Sequence, residues 1–278
     1  MSAGELFICA TPIGNLEDAS FRLIDTLNKA DIIVCEDTRH TIKLLNHYKI
    51  KKKLVSYHDY SSAKKEDYII NKIKEGLLVA LVTDAGMPGI SDPGQVIVDK
   101  AMQSGLKVDI IPGPSAVTTA LIASGFSGYA FIFAGFLNRK PGKRREEIKK
   151  FEREEKAVIL YEAPHRLIAT LEDIEMVLGA EREIAVAREL TKINQEVIRG
   201  PCGQILRHFE ANAPKGEICV IIAGWRGQNP EINIKQVVSE IKIMLDEGID
   251  KKSAFKIKAL EYKIPKSVIY KAFIDEST

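Results

Sequence analysis

The chain predicts an α/β protein built on a parallel sheet, and three strand-then-loop units in its first 118 residues carry that prediction. Leu6–Ala10 runs into Thr11-Pro12-Ile13-Gly14-Asn15, Leu77–Thr83 into the Asp84–Gly94 loop, and Val108–Ile111 into Pro112-Gly113-Pro114-Ser115-Ala116. Each is a short apolar run of the kind buried on both faces, then glycine and proline, then a helical pattern. In an open α/β sheet the carboxyl ends of the strands form the ligand crevice. Glycines there let a ligand approach the backbone, and prolines stiffen the loop. Three such loops imply a preformed small-molecule site.

In chain order, the first region supplies strands at Leu6–Ala10, Ile32–Cys35, Leu54–Tyr57, Leu77–Thr83 and Val108–Ile111. Helical spacing between them (Phe21, Ile24, Leu27; Tyr68, Ile69, Ile73) makes the alternation of a sheet covered on both faces. Asp92-Pro93 reads as an N-cap followed by proline at the first helical position. A second region, about 128–226, supplies strands at Ala130–Ala134, Ala157–Tyr161, Ile184–Ala187, Glu196–Arg199 and Ile218–Ala223, with two clear helices near 143–154 and 165–178. Short spacing between its later strands suits some antiparallel pairing. After a linker at Gly224–Pro230, residues 231–278 carry no strand signal and read as three short helices, a bundle compatible with a helix-turn-helix shape. The expected divisions are 1–120, 121–228 and 229–278.

At 278 residues the chain has room for several compact units and a sizeable core. Its 45% hydrophobic and 28% charged content is that of an ordinary globular protein. A net charge of +2 confines nucleic-acid binding to local patches. No apolar run approaches a membrane span, and the first residues lack a signal-peptide pattern, so a cytoplasmic location is expected. Cys9, Cys35, Cys202 and Cys219 are scattered, without the spacing of a disulfide framework or a zinc site.

The Asp84–Gly94 loop lacks the Lys-Ser/Thr ending of a phosphate-binding P-loop and is not a GxGxxG fingerprint. A compact nucleoside held by backbone groups remains open. Cys35-Glu36-Asp37-Thr38-Arg39 ends the second strand, where Asp37 or Thr38 can cap a helix and the polar set can form a substrate rim. Tyr161-Glu162-Ala163-Pro164-His165-Arg166 ends a later strand in the same way, and Arg188-Glu189-Leu190-Thr191-Lys192 another. Two basic tracts stand out: Arg139, Lys140, Lys143, Arg144, Arg145, Lys149, Lys150 and Arg153, then Lys251, Lys252, Lys256, Lys258, Lys263, Lys266 and Lys271. Such runs are commonly solvated faces. Flanking a nucleoside crevice, they favour a polyanionic substrate.

These six motifs, in this order and spacing, resemble the 16S ribosomal RNA cytidine 2′-O-methyltransferases of the tetrapyrrole methylase superfamily, over residues 5 to about 226. The 231–278 tail resembles that family's small helical domain. The resemblance implies two α/β domains with S-adenosylmethionine in the crevice between them, a homodimer, and a ribose hydroxyl in the decoding region of the small ribosomal subunit's 16S RNA as acceptor. No metal is required, because the sulfonium supplies the electrophile. By motif position the donor contacts fall on Pro12, on Ala85, Gly86, Met87 and Ile90, and on Ser115 and Ala116. A base for the ribose proton would come from Glu162, Glu189 or Lys192, the last only with a pKa lowered by burial. Glu162 ranks first because His165 and Arg166 beside it can fix its rotamer. Thr11–Asn15 departs from the GxGxG-like first loop of tetrapyrrole C-methylases. A C-methylase and a non-catalytic RNA-binding assembly factor are the alternatives.

Overall fold

The computed structural model describes residues 4–58, 63–91, 94–126, 129–226, 234–262 and 264–275. Five parallel strands, β1 (Glu5–Cys9), β2 (Ile32–Cys35), β3 (Lys53–Ser56), β4 (Leu78–Val82) and β5 (Lys107–Ile111), form the first sheet in the order β3-β2-β4-β1-β5. Period-two alternation divides its side chains between two cores. Leu6 and Ile8, Ile32 and Val34, and Val79 and Leu81 enter one core, while Cys9, Ile33 and Cys35, and Ala80 and Val82 enter the other. This double burial is why these strands read as unbroken apolar runs.

The crossovers are helices α1 (Phe21–Lys29), α2 (Thr38–His47), α3 (Ala63–Lys74) and α4 (Gln95–Gln103). Ser20 caps α1 and Asp37 caps α2, each side chain accepting a backbone N–H of the first turn. The expected cap at Asp92-Pro93 lies outside the described residues.

After β5, helix α5 (Ala116–Ser124) leaves the first sheet. Its Val117, Ala120 and Leu121 join Ile159, Ala185, Ala187 and Ile221 of the second sheet in one core. That sheet orders its strands β6 (Phe131–Phe136), β7 (Ala157–Glu162), β10 (Ile218–Ile222), β8 (Glu183–Arg188) and β9 (Glu196–Pro201). Only the β6–β7 pair is parallel. Helices α6 (Pro141–Lys149) and α7 (Leu167–Leu178) cover its other face together with a third, α8 (Cys202–Ala211). The expectation of two helices here missed α8. Proline and glycine at its start masked the period, although Cys202, Ile205, Leu206 and Phe209 carry a helical stripe and are all buried. Because α5 packs on the second sheet, both sheets belong to one compact unit ending at Trp225.

The second unit begins at Arg226 and holds α9 (Ile234–Asp246), α10 (Lys251–Glu261) and α11 (Lys266–Asp275). Its own small core is Val237, Ile241, Ala254, Phe255 and Ile269. Asp250 caps α10, its carboxylate accepting the Ser253 N–H at 3.0 Å. Most of the Gly224–Pro230 linker lies outside the described residues. No helix among those described is long and apolar enough to cross a membrane.

Candidate functional site

A cavity of about 410 Å³ lies between the loops after β4 and β5 and the ends of β6, β7, β8 and β10. Its volume is within the usual range of small-molecule sites, about 300–1,000 Å³. The loop after β4 contributes Ala85, Gly86, Met87, Ile90 and Ser91, and the N-cap and first turn of α5 contribute Ser115, Ala116 and Val117. The tertiary fold thus gathers six of the seven expected donor contacts at one surface. Pro12 is the exception: it sits between Thr11 and the lining residue Ile13 without itself lining the cavity.

The loops after the neighbouring strands β1 and β4 are tied together. Thr11 N–H donates to Gly86 O at 2.8 Å, Gly86 N–H to Thr11 O at 3.1 Å, and the Thr11 hydroxyl to Thr83 O at 3.1 Å. Gly86 takes φ +78°, which favours glycine, and this turn returns the chain toward Thr11.

The turn after β8 forms the opposing wall. Glu189 and Thr191 both adopt left-handed backbone, φ +50° and +64°, and Thr191 is β-branched. Neighbours hold this conformation. Asn15 N–H donates to Thr191 Oγ1 at 3.0 Å, and Thr191 N–H to Gln195 Oε1 at 2.6 Å. Lys192 Nζ lies 2.9 Å from Glu189 Oε1 and 3.2 Å from Glu217 Oε2. The ammonium, with the Glu217 N–H, draws the Glu189 carboxyl below its ordinary value. Burial pulls Lys192 down, but its bonds to Glu189 and Glu217 outweigh this and leave it above the usual lysine range. Both carboxylates favour the ammonium form of Lys192 here. Arg188 pairs with Glu196 across β8 and β9 at 2.5 Å, so this motif is largely an ion-pair lattice around the lining residue Leu190.

Glu162, at the end of β7, lines the cavity by position, yet its side chain is only 1% exposed. Oε1 accepts the Ala163 N–H at 2.8 Å and lies 3.1 Å from Arg166 Nε, while Oε2 accepts the Thr170 hydroxyl at 2.6 Å. Arg166 in turn donates to Leu137 O at 2.8 Å. Among the described lining residues, Tyr161, Ala163, Pro164, Phe136, Gly216, Glu217, Ile218 and Cys219 complete the wall. Gly216 and Phe136 were not anticipated from the sequence. Gly216 takes φ +84°, and a Cβ there would lie 2.2 Å from Glu189 Oε1.

On the first-sheet side, Glu36 and Asp84 reach the cavity. His40 Nδ1 is 2.8 Å from Asp84 Oδ2, and Asp37 N–H donates to Asp84 Oδ1 at 3.2 Å. Asp37, His40 and Asp84 place ligating atoms within 4.8 Å of one another, a proximity that sequence spacing did not disclose. Their bonds, however, are already committed. Arg39 grips the Asp37 carboxylate, holding its pKa down to about 2.

The basic tracts are less free than the sequence suggests. Arg144 is buried against Asp173 at 2.7 Å and belongs to the α6–α7 interface. Lys258 is enclosed by Glu240 at 2.8 Å and Glu261 at 2.9 Å. Arg139, Lys140, Lys143, Lys149 and Lys150 remain exposed, as do Lys251, Lys252, Lys256, Lys266 and Lys271; Lys263 lies outside the described residues.

Two α/β sheets thus frame a cavity of small-molecule size. The chain belongs to the Tetrapyrrole (Corrin/Porphyrin) Methylases, whose family profile matches residues 5–206, and it is therefore a methyltransferase. Within that family it is similar to proteins named Ribosomal RNA small subunit methyltransferase I. The one from Synechocystis sp. is 41% identical over 98% of both chains, and the one from Thermotoga maritima is 48% identical over 80% of this chain and 99% of its own. Solved structures share the fold at lower identity. A cobalt precorrin-4 methyltransferase superposes with TM-score 0.61 at 16% identity, over 80% of this chain and 95% of its own.

Proposed function

We propose that this chain transfers a methyl group from S-adenosylmethionine to the 2′-hydroxyl of a cytidine in the decoding region of 16S ribosomal RNA, acting in the cytoplasm as a homodimer on the small ribosomal subunit. The cavity walled by Ala85–Met87, Ile90, Ser115 and Ala116 carries this reading: it offers backbone groups to a nucleoside and apolar walls to the methionyl chain. Near-full-length similarity to proteins named for ribosomal RNA methylation supports the acceptor class. The exposed Arg139, Lys140, Lys143, Lys149 and Lys150 in and beside α6, with the exposed lysines of the second unit, suit its phosphates.

The bound donor supplies an electrophilic methyl on sulfur, and no metal is needed for that displacement. This chain's residues supply orientation, which accounts for much of the acceleration in such transfers. The strained 189–191 turn and the Thr11–Gly86 bridge hold the two walls before substrates arrive. Of the three candidate bases, Glu162 is better suited to anchoring than to proton transfer, since its oxygens are shielded and engaged. Glu189 and Lys192 neutralise one another, so either becomes basic only after that pair opens.

The test is methyl transfer from labelled donor to isolated small subunits, with mass mapping of ribose methylation. Label on a cytidine ribose is the expected result. Label on a base, or on uroporphyrinogen in place of RNA, overturns the reading.

A further inference from the structure

We propose that Phe136 is the platform on which an unstacked nucleobase of the RNA acceptor is held at the cavity mouth, a specificity-determining role that rests on the RNA-methyltransferase reading above. The observation is a bulge. Along β6, Phe133 packs on the cavity side while Ile132 and Ala134 pack into the core under α6 and α7. Strict alternation would send residue 136 into that core as well. The register instead slips between Phe133 and Gly135, and Gly135 takes φ +63°. Phe136 is thereby returned to the cavity side and Leu137 takes the core position. Bulges that re-aim a side chain are a recurrent device beside active sites.

The re-aimed ring is poorly suited to a packing role. Phe136 lines the cavity yet is 57% exposed, and it meets Tyr161 edge-on at 5.6 Å. The backbone immediately after it, by contrast, is held by two side chains. Arg166, itself anchored by Glu162, donates to Leu137 O, and Asn138 N–H donates to Glu147 Oε2 at 2.9 Å. Immediately beyond lie exposed Arg139, Lys140 and Lys143, on the segment that opens α6. A rigidly mounted exposed aromatic followed by cations within a few residues is the combination that binds single-stranded nucleic acid, by stacking and phosphate contact. Among the described lining residues, the donor-side segments contribute no aromatic side chain to the cavity, so the exposed ring is placed to serve the acceptor.

The experiment compares wild type with Phe136→Ala, Phe136→Leu and Phe136→Tyr in methyl transfer to isolated small subunits, alongside calorimetry with S-adenosylhomocysteine. Loss of a stacked base predicts KM for the subunit raised roughly 5- to 100-fold in Phe136→Ala. Phe136→Leu should share the defect, Phe136→Tyr should restore the wild-type value, and affinity for S-adenosylhomocysteine should not change. An unchanged KM in Phe136→Ala, full activity in Phe136→Leu, or a loss confined to S-adenosylhomocysteine binding overturns the platform while leaving the function intact. Wild-type protein that methylates no RNA overturns both.

Discussion

Glu162 is a buried carboxylate that ties together three segments around the cavity. Its shielded oxygens hold Ala163, Thr170 and Arg166, and Arg166 holds the Leu137 carbonyl. Glu162→Gln keeps the shape but removes the charge facing a guanidinium, and breaking a buried pair costs about 3–5 kcal/mol. The expected outcome is a lowered melting temperature and a raised KM for the subunit, with single-turnover transfer at saturating substrates falling less than tenfold. A fall of roughly 10²–10⁴ with unchanged KM would return Glu162 to the role of base.

The Glu189–Lys192 pair has its own signature. Because the Glu189 carboxyl is lowered from 4.5, its contribution to stability is present above that pH and is lost as pH falls through the lowered value. Because Lys192 is raised from 10.5, its contribution is present below that pH and is lost as pH rises through the raised value. The melting-temperature difference between wild type and Glu189→Gln should thus be flat from about pH 5 to pH 10 and should shrink on the acid side.

At the scale of elements, the site depends on turns that press against one another. A Cβ at Gly14 would lie 2.6 Å from Lys192 Cγ, 2.8 Å from Thr191 Oγ1 and 2.9 Å from Leu190 O. The loop after β1 therefore fits against the 189–192 turn only with glycine at this point. Gly14→Ala should push the two walls apart and weaken S-adenosylhomocysteine binding about tenfold, as overpacking of 1–3 kcal/mol implies. Calorimetry on the folded variant checks this. Gly86 acts differently. A Cβ there meets nothing closer than 3.6 Å, so the cost of Gly86→Val is first one of backbone strain at φ +78°. Its expected loss of donor affinity should accompany a lower melting temperature.

For the whole molecule, the two units have separate cores, and the similarity to the Thermotoga maritima protein spans 99% of that chain but only 80% of this one. Truncation after Gly227 should leave a folded protein that binds S-adenosylhomocysteine normally. Subunit affinity should fall, and each lost phosphate contact should reduce the log–log salt slope by about 0.7–0.9. Equal affinity and equal salt dependence in the truncated protein would make the tail a structural accessory.

The sequence by itself determined the ten strands to within a residue or two, most plainly β2, β4 and β10, where burial on both faces leaves unbroken apolar runs. The family resemblance, through motif position, pointed to Ala85, Gly86, Met87, Ile90, Ser115 and Ala116, and the fold brings these six to one cavity. What only the tertiary structure decided depends on partners distant in the chain. Arg144 reads as a surface cation until Asp173 is seen against it, and only the fold brings Glu217 to Lys192. Asp84 joins His40 from 44 residues away. A one-residue bulge at Gly135 moves Phe136 from core to cavity. Local pattern records which face a residue prefers, whereas pairing, register slips and charge neutralisation arise only when separate segments are packed together.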